Sequence, residues 1–454
     1  MPPHETTLRD INATSQRGSK ETQRERLLAG MLAVANRDGY ANANVSAVIA
    51  HAGVSRPTFY EYFTDRDDCF LAVHRDIAGR LLEQIQDALE QAPPEQAPQA
   101  AMRRLLQRAE AQPEQAQFLA NDTMAGGPHA LDERDRTIAR IERLIESARA
   151  GTPAETPSPD LPTRSVIGAT HMLLSRRLRR GERDHTQLAD ELTRWMESYG
   201  RPAGEHRWRT LEPGPSPGAS PYASELPMHP PPPIPAGRSR LSSDEISQNQ
   251  RWRIVFATAD CARRKGYNAT TITDIATTAK IDKRVFYAHF RDKQQAFLAV
   301  HELAFQQTMA VCASAFFSTP SPWAERVWRG AHAGGQFWAM HPAISHTGLV
   351  ESHAVGAPAI QRFEDSHRAF TLFLQEGNQH TTTPQTPTEM EATAAAIFEI
   401  SYQQCRTNNN HQLPNYAYHT TYLSLTPFLG TQAANEFIDA KMKERDTVAL
   451  SAPA

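Results

Sequence analysis

This chain writes one segment twice, and the repeat limits its possible folds more than any other feature. Arg24–Val73 aligns with Arg251–Val300 without a gap, with 15 identities in 50 positions. Gly39-Tyr40 recurs as Gly266-Tyr267, Phe59-Tyr60 as Phe286-Tyr287, Phe63 as Phe290 and Asp65 as Asp292. "FLAV" at Phe70–Val73 returns at Phe297–Val300, followed by His74 and His301. Further on the likeness weakens, yet "GGPHAL" at Gly126–Leu131 stands opposite "GAPAIQ" at Gly356–Gln361, the offset having grown from 227 to 230. The duplicated unit is therefore longer than the well-matched segment.

Between the copies, ten of the 23 residues from Pro213 to Pro235 are proline. Proline removes a backbone donor and fixes φ, which excludes a helix or central strand here and predicts an extended, semi-rigid spacer. Fully stretched, the spacer from Glu212 to Glu245 would reach roughly 100 Å, enough to join side-by-side domains without dictating their orientation. Cys69, Cys261, Cys312 and Cys405 are far apart and form no paired motif, which implies a reduced, cytoplasmic setting without disulfides or structural zinc. The start of the chain shows no apolar signal core, and no apolar run approaches the ~18 residues of a membrane span. No GxSxG, P-loop, HExxH or paired-carboxylate arrangement supports an enzyme, and no cofactor is implied.

Nearly everything else has helical periodicity, so the fold class is all-α. Leu27, Leu28, Met31, Val34 and Ala35 line one helix face; Ile254, Val255, Thr258, Cys261 and Ala262 repeat it. Gly39 and Gly266 should stop these helices. A short helix Val45–Ala52, a turn at Gly53-Val54 and a second helix opened by Ser55 follow, with Phe59 and Phe63 closing a three-helix core. Copy two caps the matching helices with Thr271 and Asp282 but puts Lys280 at the turn glycine. A lysine at positive φ costs roughly 1 kcal/mol, so some remodelling of that turn is expected. Long helices are expected at Leu161–Arg180, Gln187–Tyr199, Met390–Tyr402 and Tyr416–Leu429.

The residues facing away from each three-helix core suggest DNA. A short second helix fits the major groove, where its first residues meet base edges. Lys283 and Arg284 stand there in copy two. Tyr60 and Tyr287 offer hydroxyls to phosphates, with Arg66 and Lys293 at the next helix start and Asn44 and Thr271 capping the preceding helix. The heads differ in charge: Arg24–Val73 has five basic and six acidic residues, Arg251–Val300 ten and four.

Gly39-Tyr40, the Ala52–Ser55 turn, Thr58-Phe59-Tyr60, Tyr62-Phe63 and Asp65-Arg66 through Phe70–Val73 resemble the N-terminal signature of TetR/AcrR-type transcriptional regulators. Copy two resembles it through Gly266-Tyr267, Thr271, Ile275-Ala276, Val285-Phe286-Tyr287, His289-Phe290 and Asp292-Lys293. The resemblance implies groove reading by Ser55, Arg56, Pro57 and Thr58, and by Asp282, Lys283, Arg284 and Val285. It implies phosphate contacts from Tyr60, Tyr287, Lys293 and Arg66. It further implies a repressor of double-stranded DNA operators answering to a small-molecule effector of unknown identity. Two arrangements are open, a single-chain pseudo-dimer or a homodimer, the former with an imperfect palindrome as operator. The alternative function is a scaffold in which one or both heads no longer read DNA. The expected domains are a flexible arm (1–20), a first helix-turn-helix domain (21–74), a first helical regulatory domain (75–205), the Pro-rich linker (206–247), a second helix-turn-helix domain (248–301), a second regulatory domain (302–445) and a flexible tail (446–454). In copy two Phe316, Phe317, Trp323, Trp328, Phe337, Trp338, His341, His346 and His353 are candidates to line an effector pocket. The His341, His346, Glu351, His353 spacing matches no familiar zinc pattern.

Overall fold

Caps and glycines set the element boundaries in the computed structural model, which describes residues 8–150, 152, 156, 158–200, 206–210, 228–234 and 241–451. The first head consists of α1 (Leu8–Asp38), α2 (Val45–Ala52) and α3 (Arg56–Tyr62), and α4 (Arg66–Gln91) leads away from it. Asn44, Ser55 and Asp65 each accept a backbone N–H at the start of α2, α3 and α4. Gly39 ends α1 with φ 76°, a conformation open to glycine alone. Leu27, Met31, Val34, Phe59, Phe63 and Phe70 close one core, each of them buried. The first half continues with α5 (Ala97–Ala111), α6 (Gly127–Arg149), α7 (Thr163–Arg179) and α8 (Thr186–Glu197).

Copy two repeats the plan. Its head is α9 (Ser243–Ala269), α10 (Ile272–Ala279) and α11 (Lys283–His289), followed by α12 (Lys293–Phe317). Gly266, at φ 77°, breaks α9 where Gly39 ends α1. The rest is α13 (Trp323–Met340), α14 (Pro342–Leu349), α15 (Ala357–Phe370), α16 (Pro387–Arg406), α17 (Leu413–Leu429) and α18 (Thr431–Ser451), shorter turns being left unnumbered. Pro427 sits inside the last turn of α17, and Gly430 at φ 83° separates α17 from α18. Among the described residues every regular element is helical, and no helix is long and apolar enough to cross a membrane.

The largest core belongs to neither half alone. Val166, Leu173, Leu192, Trp195 and Tyr199 of the first half pack in one cluster with Ala392, Ala396, Ile400, Tyr422 and Phe428 of the second. Trp195 Nε1 donates to Thr393 Oγ1 at 3.0 Å and Tyr199 Oη to the Leu423 carbonyl at 2.8 Å, both across the seam. α7 can lie against α16 because residue 168 is glycine. A Cβ there would stand 2.4 Å from that of Glu399.

The ends of the expected segments need adjusting. α1 begins at Leu8, within the stretch read as an arm, and α18 carries the chain to Ser451, so 1–7 and 452–454 are the terminal parts outside the described residues. Within the linker, 211–227 and 235–240 also lie outside them. The described linker pieces are bound to the body. Trp208 is buried in the shared core and donates to Asn435 at 3.0 Å. Met228–Ile234 lies against the second head, where Asn249 donates to the Pro232 carbonyl at 3.1 Å.

Candidate nucleic-acid interface

Each second helix is held by its aromatic side and offers its opposite side to solvent. Phe59 and Phe286 are fully buried, while the adjoining Tyr60 and Tyr287 are 50% and 57% exposed, among the few large hydrophobic side chains so exposed in the described residues. Ser55, Arg56 and Pro57 are exposed at the start of α3 and Thr58 is half-buried; Asp282, Lys283 and Arg284 are exposed at the start of α11 and Val285 is half-buried. Their positions coincide, but their chemistry does not.

Ser55 Oγ accepts the Thr58 N–H at 3.2 Å and shares a 2.8 Å hydrogen bond with its hydroxyl. Arg56 donates to Ser46 Oγ at 2.8 Å, so its guanidinium is held against its own head. In α11 the capping carboxylate of Asp282 accepts the Arg284 N–H at 2.7 Å, which uses its charge at the helix N-terminus. Lys283 and Arg284 have no ion-pair partner among the described residues. Asn44 accepts the Ala47 N–H at 3.0 Å, while Thr271 forms a capping box with Asp274, whose carboxyl is held well below the usual range by Lys265 and by Thr271.

The turn of copy two is not remodelled. Lys280 adopts φ 52°, ψ 49°, against 63° and 41° for Gly53. The neighbouring arginine adjusts instead. Arg26 donates to the Gly53 carbonyl at 2.9 Å, and its Nη2 lies 2.6 Å from where a Cβ at residue 53 would fall. Arg253, its repeat partner, donates to the carbonyls of both Ala279 and Lys280. This arginine pair was among the repeat identities; it ties the first helix of each head to the turn before the exposed helix.

Arg66 and Lys293 stand where a phosphate role is expected, but both are already engaged. The Lys293 ammonium donates to the carbonyls of Tyr267, Asn268 and Thr270 at 3.0, 3.3 and 3.1 Å and lies 4.3 Å from the Tyr267 ring centroid. Burial lowers its pKa. Arg66 stacks over Tyr40 at 4.4 Å and pairs with Asp67 at 2.9 Å, while the Tyr40 hydroxyl donates to Asp67 at 2.8 Å. Burial, then the Asp67 contact, pushes the Tyr40 hydroxyl up to about 12. Both cations brace the Gly-Tyr corner where the head meets the next helix. A phosphate would have to displace those carbonyls from Lys293.

Behind the heads, the second half encloses an apolar cavity of about 110 Å³ between α12, α13, α16 and α17, with Phe316, Trp338 and Phe398 on its walls. The first half has one of about 90 Å³, lined by Leu81, Ile138 and Ile141. Of the expected pocket residues, Phe316 and Trp338 reach the cavity, whereas Trp323 and Phe337 are core and Phe317 is exposed. His346 pairs with Glu351 at 3.2 Å, and no three His, Cys, Asp or Glu side chains converge as a metal site among the described residues.

Sequence reasoning missed the polar part of the seam. Arg134, Arg164, Arg176, Arg179 and Arg194 of the first half reach Glu399, Glu391, Glu364 and Glu389 of the second; Arg134–Glu399 and Arg194–Glu389 are both 3.0 Å. In the other direction Arg406 reaches Asp132 and Asp135. The signal available was the abundance of arginine in α6 to α8, which reads as solvated surface until the partner is known.

The model of bacterial regulatory proteins of the tetR family matches the chain twice, at residues 27–73 and 254–300. These are the two heads, and the family is one of regulators rather than enzymes. Solved structures similar to this chain include the fatty acid degradation regulator FadR from Bacillus halodurans, with 16% identity, 38% of this chain and 97% of that one covered, and a TM-score of 0.34. A TetR family transcription regulator from Marinobacter aquaeolei VT8 shows 20% identity, 39% and 97% coverage and a TM-score of 0.33. A bacterial regulatory protein in the tetR family from Rhodococcus RHA1 shows 19% identity, 38% and 96% coverage and a TM-score of 0.33. No curated protein matches the chain in sequence.

Proposed function

We propose that this chain, a transcription regulator with two TetR-type heads, is a ligand-responsive cytoplasmic repressor that binds double-stranded DNA as a single-chain pseudo-dimer. The observation that carries the proposal is the seam. One buried core and a set of arginine–glutamate pairs join the halves as two subunits of a dimer would be joined.

On this reading the exposed starts of α3 and α11 enter successive major grooves. Ser55–Thr58 and Asp282–Val285 meet base edges, Tyr60 and Tyr287 meet phosphates, and Asn44 and Thr271 hold the preceding helix to the backbone. Arg66 and Lys293 support this by fixing the corner of each head. Because the two helices carry different side chains, the operator is an imperfect palindrome. The unpaired Lys283 and Arg284 make the second head the stronger contributor to backbone affinity. An apolar effector entering the second half's cavity would alter how its head is held.

The test is selection of bound sequences from random duplex DNA, with the mass of the complex measured by light scattering. Two different half-sites occupied by one chain are expected. Two identical half-sites, or two chains per site, would reject the pseudo-dimer. Absence of any salt-sensitive duplex binding would instead favour a scaffold, a reading to which the acidic first head and its tethered Arg56 lend some support.

A further inference from the structure

The two heads are not held alike. The turn Ala125–His129, which enters α6 of the first half, stands between them. On one side it packs on the first head: Ala125 rests on that head's core, and a Cβ at Gly126 would fall 3.1 Å from the Phe70 ring. On the other side it carries the corner of the second head. Asn268 donates to the Ala125 carbonyl at 3.2 Å, and Pro128 comes within 3.9 Å of where a Cβ at Gly266 would fall. Together with this turn, the corners Tyr40-Ala41 and Lys265–Ala269 line a common cleft of about 340 Å³. The corresponding turn of the second half serves its own head instead, Gln294 donating to the Val355 carbonyl at 2.9 Å. A Cβ at Gly39, in the corner of the first head, would meet nothing within 4 Å among the described residues.

We propose that α6 is a lever acting across the halves: an apolar molecule entering the first half's cavity repositions the second head. Thr137, Ile138 and Ile141 of α6 line that cavity of about 90 Å³. Ile138 lies about 15 Å along the helix from Pro128, where the second head's corner rests. The Arg406 guanidinium bonds both the Pro128 carbonyl, at 3.1 Å, and the Asp132 carboxylate, so the turn is fixed to the first turn of α6 and the two move together. A packed helix displaced by an occupant shifts as a unit, by about 1–2 Å, and carries whatever is bonded to its end.

The head so moved is the one with the unpaired Lys283 and Arg284, so the half with the weaker head controls the stronger. That consequence rests on the regulatory function proposed above, whereas the movement itself needs no DNA.

The test is a distance measured by double electron–electron resonance on the full chain, free of DNA, between spin labels at Thr277→Cys in α10 and Glu197→Cys in α8, both exposed positions. The four native cysteines are buried and stay unlabelled. Ala109→Leu fills the first cavity from α5 and leaves α6 unaltered; Leu105→Phe, from the same helix, takes its place if that variant does not fold. Filling should shift the distance by about 2 Å or more, and Asn268→Ala should remove at least half of the shift. Benzene should produce the same shift in the unfilled protein and none in the filled variant. The proposal fails if filling or benzene leaves the distance unchanged, or if Asn268→Ala leaves the shift intact. It fails equally if benzene moves the head as far in the filled variant, which would place its action in the second half's cavity. A chain that shows the shift but binds no duplex keeps the lever and refutes the regulatory reading alone.

Discussion

Replacing Glu399 by glutamine tests the seam with almost no change of shape. The side chain is 5% exposed, and its crowding against Gly168 is kept because glutamine has the same outline. What changes is the charge beside Arg134, itself 4% exposed and 3.0 Å away. Breaking a buried pair by neutralising one partner costs about 3–5 kcal/mol, because the other charge is left uncompensated. Two features reduce that figure. Asp135 remains 3.1 Å from Arg134, and the glutamine carbonyl still accepts one of its hydrogen bonds. The expected loss is therefore about 2–3 kcal/mol. Urea unfolding followed by tryptophan fluorescence should report it, since Trp195 is fully buried and bonded across the seam. The control is a double-mutant cycle with Arg134→Met. Once Arg134 is gone, neutralising Glu399 should cost less, the contact with Arg164 at 3.7 Å being what remains, giving a coupling of at least about 1.5 kcal/mol. A single-mutant loss below about 0.5 kcal/mol, or strictly additive effects, would refute the view that this pair is a buried contact between the halves.

Replacing both Lys283 and Arg284 by alanine should weaken DNA binding and lower the salt-dependence slope by up to about 2, whereas Arg56→Ala should change it by about 1 at most; equal effects would contradict the proposed asymmetry. Lys280→Gly should raise stability by up to about 1 kcal/mol, seen as a higher melting temperature, because the residue already holds a left-handed conformation. Acidification should weaken the fold. Burial depresses His74 and His301 to about 4 and His171 and His367 to about 3, below the ordinary 6.5. Unfolded histidines therefore take up protons that the folded ones refuse; the stability is complete above pH 6.5 and falls as the pH drops toward those values. Asp122, raised to about 7 by burial, acts with the opposite sign and offsets part of this. These five groups alone give a loss between pH 7 and 5.5 on the order of 3 kcal/mol, and His341 and His419, also depressed by burial to about 4, add to it; denaturant midpoints that do not move over that range would contradict it.

The heads were legible because their determinants are local. Periodic apolar positions, N-caps and the Gly-Tyr pair all act within a few residues of one another, and the repeat stated them twice. Phe59, Phe63, Phe286 and Phe290 are core for the reason the pattern gives, the helical spacing of apolar side chains. The seam was not legible. Arg134 meets Glu399, and Trp195 meets Thr393, over separations of 265 and 198 residues, and no periodicity encodes such pairing. The Lys280 turn shows a third situation. Its strain was visible, but its accommodation by Arg253 depended on a side chain 27 residues away. Lys293 is similar: its charge and position were apparent, while the three carbonyls that occupy it were not.

That the halves share one backbone as well as one core bears on how the protein behaves when scarce. A dimer of separate chains falls apart as it is diluted, because dissociation gains translational freedom while reassociation depends on encounter. Here each half always meets its counterpart at the fixed effective concentration set by the tether, however few molecules a cell contains.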